Sequence, residues 1–256
     1  KFHEFDSFPN TFDYSDSTKG KWNLIFGNTN PIVVEFACGK GEYTIGLARK
    51  RKDVNYIGID IKGNRLWKGA KCALEEGLSN VRFLRIEIDK AADFFEKGEV
   101  SEAWVTFPDP QPQKRHKRLS GGKFLNIYRS VLADAGKLNI KTDSDLFYQT
   151  ALEQIAMENL KVEVNLIDIY SLKFVPEVLQ IKTFYELIWL NEGKKIKYLR
   201  FELGSELSDE SKKIEIPEDM LLSVPSQIFL SIPWCWFQHL CRALRASLRR
   251  GDVLPE

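Results

Sequence analysis

Short apolar runs alternate along the chain with longer stretches in which apolar residues recur every three or four positions. The first short run is "PIVVEFA" at residues 31–37, bounded by Pro31 and a pair of glycines. A run of this kind is typical of a buried parallel strand, and the spacing that follows it is typical of a helix. The whole pattern predicts seven strands, at residues 31–37, 54–60, 81–88, 101–107, 137–143, 161–169 and 196–203. Helices are predicted at residues 42–52, 62–77, 122–136 and 144–160.

The alternation of strands and helices predicts the fold class. Repeats of this kind form a doubly wound, mostly parallel sheet with helices on both faces, because each crossover helix packs back onto the sheet. No helical pattern stands out between the last two strands, so we expect an antiparallel pair at one edge. The prediction is an α/β, Rossmann-like domain with a seven-stranded sheet over residues 31–204.

The two ends of the chain depart from this alternation. Residues 1–30 scatter aromatic side chains among polar ones, which is typical of an arm that packs on another surface or stays mobile. Residues 205–256 form a predicted tail of unknown role, with an uncharged run at 220–237 that is broken by Pro225 and Pro233. A membrane span needs about 20 predominantly apolar residues. We therefore expect a tail that packs on the domain or an unnatural sequence extension.

Composition matters mainly through what it excludes. With a formal net charge of +1, nucleic-acid binding would require a local basic surface. The cysteines and histidines lack the spacing of a zinc site or of a disulfide framework, so we expect no metal. The first residues lack a secretory signal pattern, so we expect a cytoplasmic protein with no membrane partner. We also expect that the sequence begins after the true start of its gene. Whether the protein is a monomer or a homodimer stays open.

A glycine turn follows the first predicted strand. Glu35 lies in "EFACGKGE", with Gly39 and Gly41 in the turn after it. Ligand sites of parallel sheets lie beyond the carboxyl ends of the strands, where glycines let the backbone approach the ligand and a helix begins. The same glycines also suit a tight turn without a ligand, because they adopt backbone angles that other residues avoid.

Acidic residues after the next two strands strengthen the ligand interpretation. Asp60 closes the second strand, where a carboxylate can accept both ribose hydroxyls of an adenosine, and Glu87 ends the third, near the expected adenine edge. Asp60 could equally cap the following helix. NAD and S-adenosylmethionine both suit such a cradle, but the turn does not read G-x-G-x-x-G and Glu35 would repel a pyrophosphate. These details favour S-adenosylmethionine, whose sulfonium and ammonium groups are cationic.

The loop "FPDPQPQKRHKRL" at residues 107–119 combines a rigid acid with a basic cluster. Its prolines fix backbone angles around Asp109, which would pre-organise a catalytic carboxylate, although a plain rigid loop would look the same. No acid occurs between Asp109 and Asp134, and charges at this density favour a phosphate partner. The local charge of +6 comes from Lys114, Arg115, Lys117, Arg118, Lys123 and Arg129.

Two later motifs are predicted to complete the same edge of the sheet. "KTD" ends the fifth predicted strand with Asp143, and "TFYE" carries Thr183 and Glu186. Both motifs also have plainer explanations, since Asp143 could cap the next helix and "TFYE" could be partly buried strand.

Together these stretches resemble the tRNA (guanine-N(7))-methyltransferase family of class I S-adenosylmethionine enzymes. The resemblance covers residues 31–204 and is most specific in the "FPDP" box with its basic continuation. It implies methylation of guanine at position 46 in the variable loop of tRNA, with S-adenosylmethionine as cofactor and tRNA as partner. The motifs, in the family's order, are "EFACGKGE", "YIGIDIKGNRLW", "FPDPQPQKRHKRL", "IKTD" and "IKTFYELIWL".

The resemblance also implies roles for individual residues. Asp109 would be catalytic. The cofactor would be bound by Glu35, Gly39, Asp60, Glu87 and Asp109. The substrate would be bound by Gln113, Lys114, Arg115, Arg118, Asp143, Thr183 and Glu186. The chain departs from the common family pattern at Ala37, where the turn usually has its first glycine, and at Gln111 and Gln113, where Trp and Lys are usual.

Two other functions stay open from the residues alone. A nicotinamide oxidoreductase would use a similar fold, but the glycine turn does not match and no proton-relay His or Tyr is evident near the site. A non-catalytic RNA-binding adaptor would be expected to lack Asp109 or Asp60, and both are present.

Overall fold

A computed structural model describes residues 2–204, and the predicted tail at 205–256, with its uncharged run, lies outside the described residues. Residues 2–204 fall within one compact unit that contains an eight-stranded sheet. The strands are β1 (Thr11–Asp13), β2 (Ile32–Phe36), β3 (Asn55–Asp60), β4 (Val81–Arg85), β5 (Val100–Thr106), β6 (Leu132–Thr142), β7 (Val162–Leu166) and β8 (Lys197–Glu202). The α-helices are α1 (Phe2–Asp6), α2 (Trp22–Phe26), α3 (Glu42–Lys50), α4 (Gly63–Glu75), α5 (Ala91–Phe94), α6 (Gly122–Val131), α7 (Asp145–Met157) and α8 (Phe184–Asn191).

The sheet has the order β1-β4-β3-β2-β5-β6-β8-β7. Strands β1 to β6 pair in parallel, whereas β8 pairs antiparallel with both β6 and β7. The predicted α/β class and the antiparallel edge pair are therefore confirmed. The strand order reverses between β2 and β5, and this topological switch point is where open α/β sheets place their ligands.

The two faces of the sheet each carry a hydrophobic core. Along β2, Val34 points into the core beneath α6, with Tyr128, and Val33 points into the core beneath α3, with Tyr43. This division follows from the alternation of side chains along a strand. Glu35 points to the opposite face from Val34, so β2 inserts a carboxyl group beside the second core.

The N-terminal segment packs on the domain, which is the first of the two predicted alternatives. Its strand β1 pairs in parallel with β4 and supplies the eighth strand, which the sequence pattern did not predict. Phe5 is 1% exposed and Trp22 is 0% exposed, and the Trp22 indole N–H donates to Phe94 O at 3.0 Å. Phe5 and Trp22 are therefore part of the domain's core, and Phe8 and Phe12 pack against it, whereas Tyr14 is 52% exposed.

Two further predictions were wrong in detail. A helix, α8, does lie between β7 and β8; apolar residues occupy nearly every position of "FYELIWL", so no polar face reveals its periodicity. The helix predicted at 122–136 ends at Val131, where β6 begins. The N–H groups of Leu203 and Gly204 both donate to Gly136 O, at 2.9 and 3.0 Å, and this draws the stretch into the sheet.

None of the helices within residues 2–204 combines the length and the apolar character that crossing a membrane would require.

Candidate functional site

A cavity of about 600 Å³ lies at the carboxyl ends of β2 to β5, beside the switch point. Among its lining residues are Ala37 of the glycine turn and three of the predicted cofactor-binding residues, Asp60, Glu87 and Asp109. The structure thus brings these three acids to one cavity, because parallel strands present their carboxyl ends at one edge of the sheet. We call this space the smaller cavity.

Asp60 is held in a fixed orientation at the edge of the smaller cavity. Its Oδ2 accepts a hydrogen bond from the Gly39 N–H at 3.0 Å, and its Oδ1 accepts one from the Lys62 N–H at 2.8 Å. Each carboxylate oxygen has a second lone pair, which leaves acceptor capacity for a diol. Asp60 does not cap α4, whose N-cap residue is Lys62; it holds the turn before that helix and is still able to accept ribose hydroxyls.

The glycine turn adopts left-handed backbone angles, with φ of +59° at Ala37, +58° at Gly39 and +70° at Gly41. At Gly41 a side chain is excluded by space as well, because a Cβ atom there would lie 2.5 Å from the Phe83 ring. At Gly39 a Cβ atom would meet no atom within 4 Å. The turn thus leaves open space above Gly39. Ala37 adopts a left-handed backbone conformation, which is unfavourable for alanine and which glycine would tolerate.

Glu35 is 2% exposed and does not line the smaller cavity. Its carboxyl group accepts hydrogen bonds from the Thr44 N–H at 2.8 Å, from the Thr44 hydroxyl, and from the Thr106 hydroxyl at 2.5 Å. Burial raises the pKa of Glu35 to about 7. The group fastens the first turn of α3 to β2 and β5, and its predicted contact with a cofactor stays a prediction.

Asp109 is exposed, and its Oδ1 accepts a hydrogen bond from the Gln111 N–H at 2.9 Å. The bends on either side of it place Phe107 and Gln111 at φ of +46°. Non-glycine residues in this region are uncommon and persist where the surrounding structure fixes them. The loop therefore projects the Asp109 carboxylate from the end of β5 by a fixed backbone path.

Arg118 fixes the backbone of the loop that follows Asp109. It is 8% exposed, and its guanidinium donates to Gln111 O at 3.2 Å, to Pro112 O at 2.9 Å and to the Thr150 hydroxyl at 3.2 Å. The predicted contact between Arg118 and RNA stays a prediction, but the structure directs this side chain inward. Sequence reasoning counted its charge correctly but missed its structural role, because two of its three acceptors are backbone carbonyls, which no side-chain pattern marks.

The other basic residues of the cluster are partly paired with acids from elsewhere in the fold. Arg115 lies 2.6 Å from Glu153, and Lys123 lies 2.7 Å from Asp89. The predicted substrate residues Gln113, Lys114 and Arg115 are all exposed. The cluster therefore presents less free positive charge than the six basic residues alone predict.

A larger cavity, of about 1020 Å³, adjoins the smaller one. The predicted substrate residue Asp143 lines it, together with Tyr185 and Trp189 of α8 and a group of lysines at the start of β8. Asp143 lies 3.5 Å from Lys194. Four residues line both cavities: Arg65, Phe107, Pro108 and Asp109. The predicted catalytic carboxylate therefore lies in the wall that the two cavities share.

Thr183 and Glu186 do not line either cavity. The Thr183 hydroxyl caps α8 by accepting from the Glu186 N–H at 3.2 Å. Glu186 is 0% exposed; it pairs with Lys141 at 2.8 Å and accepts from the Tyr170 hydroxyl at 2.7 Å. Their predicted contact with substrate stays a prediction, and the structure gives both residues a place inside the domain. The spacing T-x-x-E is an N-cap signal, which would have located this helix start.

Lys141 is the residue of this region that sequence reasoning missed. It is 0% exposed on β6, and its ammonium also donates to Leu179 O and Ile181 O, both at 2.9 Å. Burial lowers the pKa of Lys141 to about 8, although Glu186 opposes that shift. Three acceptors from one segment thus converge on a single cation, which fastens the start of α8 to the sheet.

The fold is shared with solved methyltransferases. The crystal structure of the 16S rRNA methyltransferase KamB superposes with a TM-score of 0.57 and 13% identity, over 73% of this chain and 94% of that one. An antibiotic-related methyltransferase superposes with a TM-score of 0.55 and 18% identity, over the same shares. At these identities the likeness shows the fold alone, which is the Rossmann-like fold of class I methyltransferases.

Sequence comparison is more specific. The profile of a family described as "Putative methyltransferase" (Methyltransf_4) matches residues 29–199. A tRNA (guanine-N(7)-)-methyltransferase of Bacteroides thetaiotaomicron is 42% identical over 86% of this chain and 90% of its own length. A protein of the same name from Christiangramia forsetii is 49% identical over 72% of this chain and 84% of its own length. The chain belongs to the tRNA (guanine-N(7)-)-methyltransferase family.

Proposed function

We propose that this chain transfers a methyl group from S-adenosylmethionine to nitrogen 7 of guanine at position 46 of tRNA, in the cytoplasm. The observation that carries the proposal is the pair of adjoining cavities with Asp109 in their common wall. A transfer between two bound molecules requires two sites that meet, and two adjoining cavities suit that requirement. Family membership supports the choice of substrate.

The smaller cavity suits S-adenosylmethionine, which supplies an electrophilic methyl group when bound. Asp60 has acceptor capacity for the ribose hydroxyls, and the open space above Gly39 allows the methionine portion to approach the backbone. Glu87 is exposed at the end of β4, where it faces the same cavity near the expected adenine edge. Asp109 lines the same cavity.

The larger cavity would hold the guanine. Nitrogen 7 has an in-plane lone pair and no proton, so methylation there needs no general base. The product ring is cationic, so Asp109 contributes by placing negative charge where positive charge develops and by orienting the base. Asp143, at the end of β6, lines the same cavity and can accept hydrogen bonds from the base edge.

The exposed residues of the loop after β5 would hold the RNA backbone. Lys114 and Arg115 are charged and Gln113 is polar, and all three are exposed a few positions beyond Asp109. Arg118 supports this contact with the RNA backbone indirectly, by fixing the shape of the loop. The contact is electrostatic, so it should weaken as salt is added.

The test is incubation of the chain with unmodified tRNA and labelled S-adenosylmethionine, followed by mapping of the modified base. We expect label in guanine at position 46, and none in a matched transcript that carries 7-deazaguanosine there. Label elsewhere, or none, would refute the proposal. The Asp109→Ala variant is expected to lose about a hundredfold or more in kcat, while calorimetry shows S-adenosylmethionine binding within a few-fold of the parent.

The same calorimetry tests the oxidoreductase alternative. We expect S-adenosylmethionine to bind and NAD not to bind. A tRNA-binding chain that transfers no methyl group would instead be an adaptor.

A further inference from the structure

Helix α8 presents an aromatic face to the larger cavity. Tyr185 and Trp189 stand four residues apart, so they lie on one side of the helix, and both line the cavity that contains Asp109 and Asp143. The Lys194 ammonium lies 3.4 Å from the centre of the Trp189 ring. Trp189 is thus partly covered, whereas Tyr185 is 49% exposed. Of the three aromatic residues that line this cavity, Phe107, Tyr185 and Trp189, Tyr185 is the one whose side chain is exposed.

Contacts at the start of α8 fix the position of the Tyr185 ring. The Thr183 hydroxyl caps the helix, Glu186 is buried against Lys141, and the Glu42 carboxylate accepts from the Phe184 N–H at 2.7 Å. These bonds flank Tyr185 in sequence on both sides. The ring therefore stands on a helix start whose backbone is held in place before any substrate arrives.

We propose that Tyr185 is the stacking surface for the target guanine, and this rests on the function proposed above. A purine brought out of its own stack needs a flat partner, and stacking on an aromatic side chain stabilises such a base. Of the segment 183–186, Thr183 and Glu186 serve the domain's interior, and Tyr185 lines the cavity. Two residues lie between them; Phe184 lines a different cavity, so Tyr185 is the residue of this segment that can meet the base.

Stacking on Tyr185 also favours the reaction. As nitrogen 7 accepts the methyl group, the guanine ring acquires a positive charge, and the face of an aromatic ring attracts a cation. The attraction is stronger for the methylated ring than for the neutral one. Only interactions that strengthen toward the transition state accelerate a reaction, so Tyr185 would raise kcat as well as affinity.

The test compares three variants. Tyr185→Leu removes the ring, Tyr185→Phe keeps it, and Phe184→Leu removes a neighbouring ring that is equally exposed, at 51%, but lines a different cavity. For Tyr185→Leu we expect kcat on tRNA to fall by about tenfold to a hundredfold. Tyr185→Phe and Phe184→Leu are expected to stay within about threefold of the parent, because they keep the stacking ring.

A second measurement separates stacking from a loss of structure. The measurement is tRNA binding in the presence of S-adenosylhomocysteine. The parent is expected to bind tRNA containing 7-methylguanosine more tightly than unmodified tRNA. Tyr185→Leu is expected to lose that preference, while the salt dependence of its tRNA binding stays unchanged. If the parent methylates guanine 46 but Tyr185→Leu keeps its kcat or its preference, the stacking role is overturned alone. A parent that makes no 7-methylguanosine overturns the proposed function instead.

Discussion

Glu35 places a titratable carboxyl group between two threonine hydroxyls beside a hydrophobic core. Its pKa is about 7 in the folded protein, above its ordinary value of 4.5, because burial disfavours the charged form. The folded state therefore binds a proton more tightly than the unfolded state does. This contribution to stability is complete below the unfolded pKa and is lost as the pH rises through the folded pKa.

We predict that Glu35→Gln makes stability less dependent on pH. Between pH 5 and pH 8 the parent should lose roughly 2–3 kcal/mol that the variant keeps. The amide can still accept from the Thr44 N–H and donate to the Thr106 hydroxyl, so the variant is expected to fold. Urea unfolding at both pH values measures the difference. An equal pH dependence in parent and variant would mean that Glu35 is already ionised at pH 5.

Substitutions of Arg118 and of Lys114 test two different uses of positive charge in the loop after β5. We predict that Arg118→Met lowers kcat by on the order of tenfold, because Asp109 loses its fixed path, and leaves the salt dependence of tRNA binding unchanged. Lys114→Gln should keep kcat and lower the salt slope by about 1. Filter binding at several salt concentrations distinguishes them. A reduced slope in Arg118→Met would place its guanidinium on the RNA.

Among the elements, α8 shows what side-chain pattern alone cannot predict. Its start depends on Lys141 and Glu186, which lie 45 residues apart in sequence and meet only when β6 and α8 are assembled. The strands of the parallel sheet, by contrast, were evident because each is a compact apolar run that packs on both faces. Helix α8 lacks a polar face, and so its pattern resembled partly buried strand.

We predict strong coupling between Lys141 and Glu186. Lys141→Met and Glu186→Gln should each reduce the free energy of unfolding by about 3–5 kcal/mol, because each leaves a buried partner without its counter-charge. The double variant should lose clearly less than the sum of the two. A double-mutant cycle by urea unfolding measures this difference. Additive losses would show that the pair does not act as a unit.

At the scale of the whole molecule, the domain's core extends beyond the region that the alternating pattern marks. The α/β class, the antiparallel edge and the meeting of Asp60, Glu87 and Asp109 at one cavity followed from strand order and from the positions of acids at strand ends. The N-terminal strand β1 did not, because three residues are too few to show a periodicity. The inward use of Arg118 also depends on tertiary contacts.

The N-terminal segment should therefore matter for stability. We predict that Trp22→Ala reduces the free energy of unfolding by about 3–5 kcal/mol, as expected for a large buried side chain. Leu24→Ala, in the same helix but 80% exposed, should change it by less than about 0.5 kcal/mol. Chemical denaturation compares the two. Equal effects would contradict the packing of this segment on the domain.

With both ligands bound as proposed, the wall around Asp109 would make them direct neighbours, so a change in one site would also affect the other. Binding in one cavity would then change the surface that meets the ligand of the other cavity, and thermodynamic linkage requires that effect to be equal in both directions. An inhibitor confined to the smaller cavity should for that reason also shift the affinity for tRNA, by the same factor as tRNA shifts the affinity for the inhibitor.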